Sequence, residues 1–267
     1  MAKDWFEQTF EVNQLYRVGD PPEGAGENSP FHSLGKIRAL VYGEEGSGKT
    51  RFCGTFPNPF FIDSDRGLAT IRKVNPTAHI LPIERGRGAY TTVLKVIKDA
   101  VNLAGPFAEG GPLADVQTIV LDGYSALAEA LIYEIVTLEG SRSLTSTKPT
   151  WDNYYALKQR LVQITTTTQN LTHHHFVATS WDEIKTDETG KETEAGPLIL
   201  GGFSKIVGRY FDEVYYMNMR KVQGEYVYEA HSKKFRGFPA KSRIGVPAVM
   251  EDPTFQTLEK AYMEALR

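Results

Sequence analysis

The chain of 267 residues has a single cysteine, Cys53. No disulfide can form within it, and such a composition suits a reducing compartment. No stretch approaches the roughly 18 consecutive apolar residues that cross a bilayer. The start, Met1-Ala2-Lys3-Asp4-Trp5-Phe6, carries an acid where a secretion signal has its apolar core. These absences lead to the expectation of a soluble cytoplasmic protein with no membrane partner. A global basic charge is also missing: the formal net charge is -3 and the pI about 6.1, which excludes a protein-wide cationic footprint for nucleic acid. Any such site must be a local basic surface. Neither an internal repeat nor a low-complexity tract is present.

What is there is enough for one large core: 41% of residues are hydrophobic and 24% charged. The expected division is an N-terminal arm, residues 1–34, and one domain, residues 35–267. The arm is aromatic at Trp5, Phe6 and Phe10, which either dock on a neighbour or fold back on their own core. It is then interrupted by Gly19-Asp20-Pro21-Pro22-Glu23-Gly24-Ala25-Gly26, where proline and glycine forbid a continuous element.

From Ile37 the pattern changes. Ile37 to Tyr42, Phe60 to Ile62, His79 to Pro82, Thr118 to Leu121 and Phe176 to Thr179 are short apolar runs of the kind that form buried parallel strands. Helices are predicted over Tyr90–Leu103, Ser125–Leu138, Trp151–His173 and Phe255–Leu266. Strands alternating with helices imply an α/β fold, a mostly parallel sheet flanked by helices. Glu213–Met219 and Tyr226–His231, flanking Gly224, predict a C-terminal antiparallel hairpin. The charged stretch Asp182–Gly196 predicts a mobile loop.

Gly43-Glu44-Glu45-Gly46-Ser47-Gly48-Lys49-Thr50 follows the first strand and opens a helix that continues through Arg51. Successive backbone N–H groups of such a loop turn inward around a phosphate, which only a glycine-rich segment allows sterically. The helix start adds its positive end. Lys49 is then placed for the β- and γ-phosphates, and Thr50 for Mg²⁺. Cys53, just beyond, reads as a packing residue.

A second magnesium group is expected at the carboxyl end of a neighbouring strand, where Asp122 stands, unless that acid caps the next helix. Hydrolysis also needs a group to orient or deprotonate water. Asp65 is the candidate base and Asp63 the reserve, the alternative being two turn residues before Gly67. Guanine recognition normally uses Asn/Thr-Lys-x-Asp, and Ile184-Lys185-Thr186-Asp187 lacks its first residue. ATP is preferred for that reason.

The order of these parts resembles the RecA-like P-loop ATPases. More closely, it resembles their small phage-encoded, core-only relatives, the Sak-type single-strand annealing or recombination mediators among phage nucleotide-binding AAA proteins. The resemblance covers roughly residues 36–236. It rests on the phosphate loop, on Phe61-Ile62-Asp63-Ser64-Asp65-Arg66-Gly67-Leu68, on Thr118-Ile119-Val120-Leu121-Asp122-Gly123-Tyr124-Ser125, and on Gly201-Gly202-Phe203 through Tyr210-Phe211-Asp212-Glu213-Val214.

The resemblance implies a RecA-like core that hydrolyses ATP, with Asp65 where RecA has a catalytic glutamate. It implies a homo-oligomer, ring or filament, with single-stranded DNA and a single-strand-binding protein as partners, in the host cytoplasm if phage-encoded. Where RecA ends the corresponding strand with a glutamine that senses the γ-phosphate, this chain has Thr179-Ser180-Trp181. That leaves the hydroxyls of Thr179 and Ser180 as candidate sensors.

Lys233 and Lys234 stand where RecA has lysines that reach a neighbour's nucleotide, or else form a solvated basic turn. Two loops are expected at DNA, where cations draw phosphates and aromatics stack bases. Glu139–Trp151 holds Arg142, Lys148 and Trp151, the last being either a base platform or a core anchor. Asp182–Gly202 holds Lys185 and Lys191 among five acids between Asp182 and Glu192, which predicts modest, salt-sensitive affinity. Arg236, Lys241 and Arg243 form a further basic cluster. His173-His174-His175 reads as structural, since adjacent helical positions do not face one ion.

Two readings compete with an ATP-dependent DNA mediator. A P-loop kinase or phosphotransferase needs an arginine-bearing lid, and Asp182–Gly196 has no arginine. A nucleotide-gated assembly protein without DNA binding would show negligible turnover.

Overall fold

The computed structural model describes residues 36–84, 86, 88–138, 148–186, 188–189 and 192–265. Its first strand, β1 (Arg38–Gly43), is followed by helix α1 (Lys49–Gly54), and β2 (Pro59–Asp63) by the short α2 (Ile71–Val74). Then come β3 (His79–Pro82), α3 (Ala89–Val101), β4 (Thr118–Asp122), α4 (Tyr124–Leu138), α5 (Trp151–Thr168) and β5 (His175–Ser180). The remainder is β6 (Asp182–Thr186), β7 (Glu192–Pro197), α6 (Ser204–Val207), β8 (Glu213–Val222), β9 (Glu225–His231), β10 (Val249–Glu251) and α7 (Phe255–Ala265).

Every residue of β2, β4 and β5 is buried. That is why these strands read as unbroken apolar runs: helices cover both sides of the sheet. The large sheet has the order β10-β9-β8-β1-β5-β4-β2-β3. Pairing is parallel from β8 through β1 to β3 and antiparallel from β8 to β10. The expected fold class is therefore the observed one. β10 was not foreseen, because three residues carry no readable period.

On one face, Val93 and Ile97 of α3, Leu127 and Leu131 of α4 and Leu157 and Leu161 of α5 pack against Leu40, Ile119 and Phe176 of the sheet. On the other, Phe52 and Cys53 of α1 and Phe255 and Leu258 of α7 cover Val41, Phe61 and Val177. Cys53 is fully buried, and burial pushes its thiol pKa up. It is an inert packing residue.

Two expectations need correction. Asp182–Gly196, expected as a mobile loop, contains a two-stranded antiparallel sheet, β6 on β7. Its charges offset one another: Lys185 lies 3.5 Å from Glu183 and 3.4 Å from Glu194. The cross-strand pair Lys185–Glu194 helps to stabilise a ribbon that counting charges alone reads as unstructured. Helix α5 also stops at Thr168, short of His173. Thr165 and Thr166 turn their hydroxyls onto the carbonyls of Leu161 and Val162, and back-bonding of this sort weakens a helix interior. Among the described residues, no helix is long and apolar enough to cross a membrane.

Candidate nucleotide site

The loop after β1 is tight because it has no room for side chains at two of its glycines. A Cβ at Gly43 would lie 2.0 Å from the Met217 carbonyl oxygen of β8, and one at Gly48 (φ +89) would lie 2.6 Å from the Tyr228 ring. Lys49 Nζ donates to the carbonyls of Gly43 and Glu44, each at 2.7 Å, so the loop holds its own lysine pointed inward. Burial lowers the Lys49 pKa, while Asp182, Asp122 and Asp65 oppose that shift.

Asp122 ends β4, and β5 stands between that strand and β1. Its carboxylate accepts from Thr50 Oγ1 at 3.2 Å and from Thr179 Oγ1 at 2.6 Å. Burial raises its pKa to about 6, against the pull of both hydroxyls. Next to it, Gly123 (φ +90) has no space for a Cβ, which would lie 2.8 Å from Asp65 Cβ. This glycine lets the second acid-bearing strand come close.

Gly48, Lys49, Thr50, Asp65, Asp122, Thr179, Ser180 and Tyr228 line one cleft of about 320 Å³, together with Glu45 and Arg51. The structure thus brings together the phosphate loop, Asp122 and Asp65. It sets Asp63 apart: that carboxylate is buried and accepts the Arg66 N–H at 2.7 Å, the work of a turn residue. Burial raises its pKa, but it does not line the cleft.

The two hydroxyls expected as sensors belong to residues that line the same cleft, and both are already hydrogen-bonded within the chain. Thr179 donates to Asp122 and accepts the Gly123 N–H at 2.8 Å. Ser180 Oγ lies 3.0 Å from Ser125 Oγ, which also accepts the Trp181 N–H. Thr179 positions the acid.

Tyr228 was missed. Its ring lies against Gly48, and the Arg51 guanidinium sits 4.9 Å from its centroid while pairing with Asp252 at 3.1 Å. The only sequence signal is strand alternation, which puts Tyr226 and Tyr228 on one face of β9.

The other candidates scatter. Lys233 and Lys234 are exposed beyond β9 and do not line this chain's cleft. Lys185 is held by two glutamates. Lys148 is exposed, and Trp151 is 90% exposed, which excludes a core anchor. Arg142 and Lys191, like the arm, lie outside the described residues. His174 and His175 are buried, and His175 Nδ1 accepts the Ile37 N–H at 2.9 Å, tying β5 to the start of β1.

Residues 35–244 match the AAA domain. No curated protein matches the sequence. Among solved structures, the KaiC-like protein PH0186 from the hyperthermophilic archaeon Pyrococcus horikoshii OT3 is similar at 13% identity and a TM-score of 0.45, covering 89% of this chain and 98% of that one. Since the AAA match takes in the phosphate loop, both acid-bearing strands and the β8–β9 hairpin, the chain belongs to the AAA domain family and is a nucleotide-binding ATPase domain of the P-loop type.

Proposed function

We propose that the protein binds and hydrolyses ATP with Mg²⁺ and uses the cycle to act on single-stranded DNA, as a phage-type recombination or annealing mediator working as a homo-oligomer. The observation that carries the ATPase reading is the convergence of Lys49, Thr50, Asp65 and Asp122 on one cleft. The residues fit the cation. A buried carboxylate already oriented by two hydroxyls, one of them Thr50, is an oxygen donor set of the type magnesium takes beside phosphates. When bound, Mg²⁺ neutralises charge on the β- and γ-phosphates.

The chain's own groups do the rest. Lys49 exchanges its loop carbonyls for phosphate oxygens, and Asp65 accepts the proton of the attacking water. Tyr228 and Arg51 offer a ring and a guanidinium plane to the base.

The DNA reading is supported by a pair of rings. Trp151 and Tyr155 are 90% and 66% exposed, one turn apart at the start of α5, where a Thr150–Asn153 capping box fixes the helix end. Gly201 packs against the same helix at Leu157 and the Tyr154 carbonyl. Exposed rings on a rigid support, with Lys148 beside them, suit base stacking. Lys185 contributes little, since its charge is matched locally.

A filter-binding titration of a single-stranded oligonucleotide, with and without ATP and at two salt concentrations, tests the DNA half. The expected result is salt-sensitive binding that Trp151→Ala weakens, and absence of binding under every condition removes it. Asp65→Asn tests the ATPase half: turnover should fall by about 100-fold or more while nucleotide still binds. Equal turnover in the variant assigns the protein to nucleotide-gated assembly instead.

A further inference from the structure

A groove of about 280 Å³ shares no residue with the nucleotide cleft. Leu40, Val214, Pro197 and Pro239 give it an aliphatic floor, and Lys205, Arg209 and Lys241 surround it. Lys205 meets Glu194 only at 3.7 Å. Among the described residues, Arg209 and Lys241 have no carboxylate within ion-pair distance. Lys241 is half-buried, and its pKa is lowered by burial first and by Arg243 second, against the more distant pull of Asp212 and Glu213. In a chain of net charge -3, three cations around an apolar groove are a local reversal. Lys205 and Arg209 are exposed, whereas Lys241 is partly out of water, and a half-buried cation on a cationic rim is better held when a further anion joins it.

The groove therefore suits a chain that brings carboxylates and a bulky apolar side chain together. Nucleic acid fits less well. Its phosphates would satisfy the cations, but its bases would meet an aliphatic floor with no ring on which to stack.

We propose that the occupant is the acidic, aromatic segment Asp4–Glu11 of this chain's own N-terminus. Asp4-Trp5-Phe6-Glu7-Gln8-Thr9-Phe10-Glu11 interleaves three acids with three aromatics and contains no base. Its charge is opposite to that of the groove, and its rings match the floor. The described chain begins at Lys36, and the intervening residues span up to ~80 Å when extended. The chain also emerges on the correct side. Arg38 and Arg243 share Asp212, at 2.7 and 2.6 Å, and Arg243 lies two residues from Lys241, whose backbone pairs with Val214. A tethered segment starting beside its groove meets it at high effective concentration. The proposal does not depend on the nucleotide reading.

The test uses the full-length chain with Phe10→p-benzoylphenylalanine, irradiated and mapped by mass spectrometry. Crosslinks are expected on residues 197–209 or 239–241. Their yield should fall by about threefold or more in Arg209→Glu, which reverses an exposed charge, and fall likewise at high salt. Thermal melts of both proteins establish that the reversal leaves the fold intact, and Lys205→Glu provides a second, independent reversal with the same expected loss. Crosslinks confined to other surfaces, or groove crosslinks indifferent to both reversals and to salt, overturn the proposal. So does a short single-stranded oligonucleotide that clears the groove of crosslinks and itself loses affinity in Arg209→Glu, since that outcome assigns the groove to nucleic acid.

Discussion

Thr179→Val keeps side-chain volume and β-branching and removes one hydroxyl. That hydroxyl, on a buried residue at the cleft wall, donates to Asp122 Oδ1 at 2.6 Å and accepts the Gly123 N–H at 2.8 Å. Leaving a buried N–H unsatisfied costs about 1–3 kcal/mol, and losing a hydrogen bond to a charged group costs about 1.5–3 kcal/mol. The two losses share one site and overlap, so the expected destabilisation at pH 7 is about 2–4 kcal/mol.

The pH dependence has a definite sign. Asp122 already titrates at about 6, raised by burial, and the Thr179 hydrogen bond pulls that value down. A raised carboxylate favours the fold while protonated and loses that contribution as pH rises through the folded value. Removing the hydroxyl raises the folded value further. The difference between variant and parent therefore grows as pH rises through 6, and Mg-nucleotide affinity in the variant recovers only at higher pH. Urea unfolding at pH 5 and pH 8 measures the first effect, and nucleotide titration from pH 6 to 9 the second, with Thr179→Ser as the variant that retains both bonds. A Thr179→Val protein within about 0.5 kcal/mol of the parent at both pH values would refute the reasoning.

Lys49→Ala should abolish nucleotide binding or turnover, and full activity in that variant would remove the phosphate-loop assignment. Tyr228→Ala should weaken nucleotide binding by about tenfold, the value of a lost aromatic contact, with little change in kcat; a change in kcat alone would show that the ring does not meet the base. Burial lowers His174 to about 4 and His175 to about 3. Values depressed below the ordinary one stabilise the fold above about pH 6.5 and are lost as pH falls, by up to about 1.4 kcal/mol per group per pH unit. Asp122 acts in the opposite sense between about pH 4 and 6, so the measurement compares the parent with His175→Gln, which retains an acceptor for Ile37. Parallel pH–stability curves for the two proteins would exclude His175 as an acid-labile tie.

Strand β1, its loop and α1 were legible because a buried parallel strand is a continuous apolar run and a phosphate loop has few alternatives to glycine. Asp122 was legible for a related reason: an acid ending an apolar strand in an α/β sheet faces the side where sites form. The ranking of Asp65 above Asp63 is supported by the resemblance, and the physical reason is tertiary: Asp65 packs beside Gly123 at the cleft while Asp63 accepts the Arg66 N–H. Tyr228 depends on the register of β8 against β9, which brings a ring from late in the chain over Gly48. The β6–β7 ribbon was hidden because charge count and charge pairing look alike until partners are known. Trp151, large and apolar, invited a core position that the helix orientation denies it.

One residue, Trp181, separates β5 from β6. Its N–H is fixed by Ser125 at the start of α4, its carbonyl accepts the Leu198 N–H beyond β7 at 2.7 Å, and Thr179, two positions earlier, grips Asp122. The ribbon is consequently hinged on a joint with almost no slack. A few degrees of swing at its tip must be taken up at Trp181 or delivered to Asp122 in the cleft, and a ligand that clamped the ribbon would act directly on the geometry of that cleft.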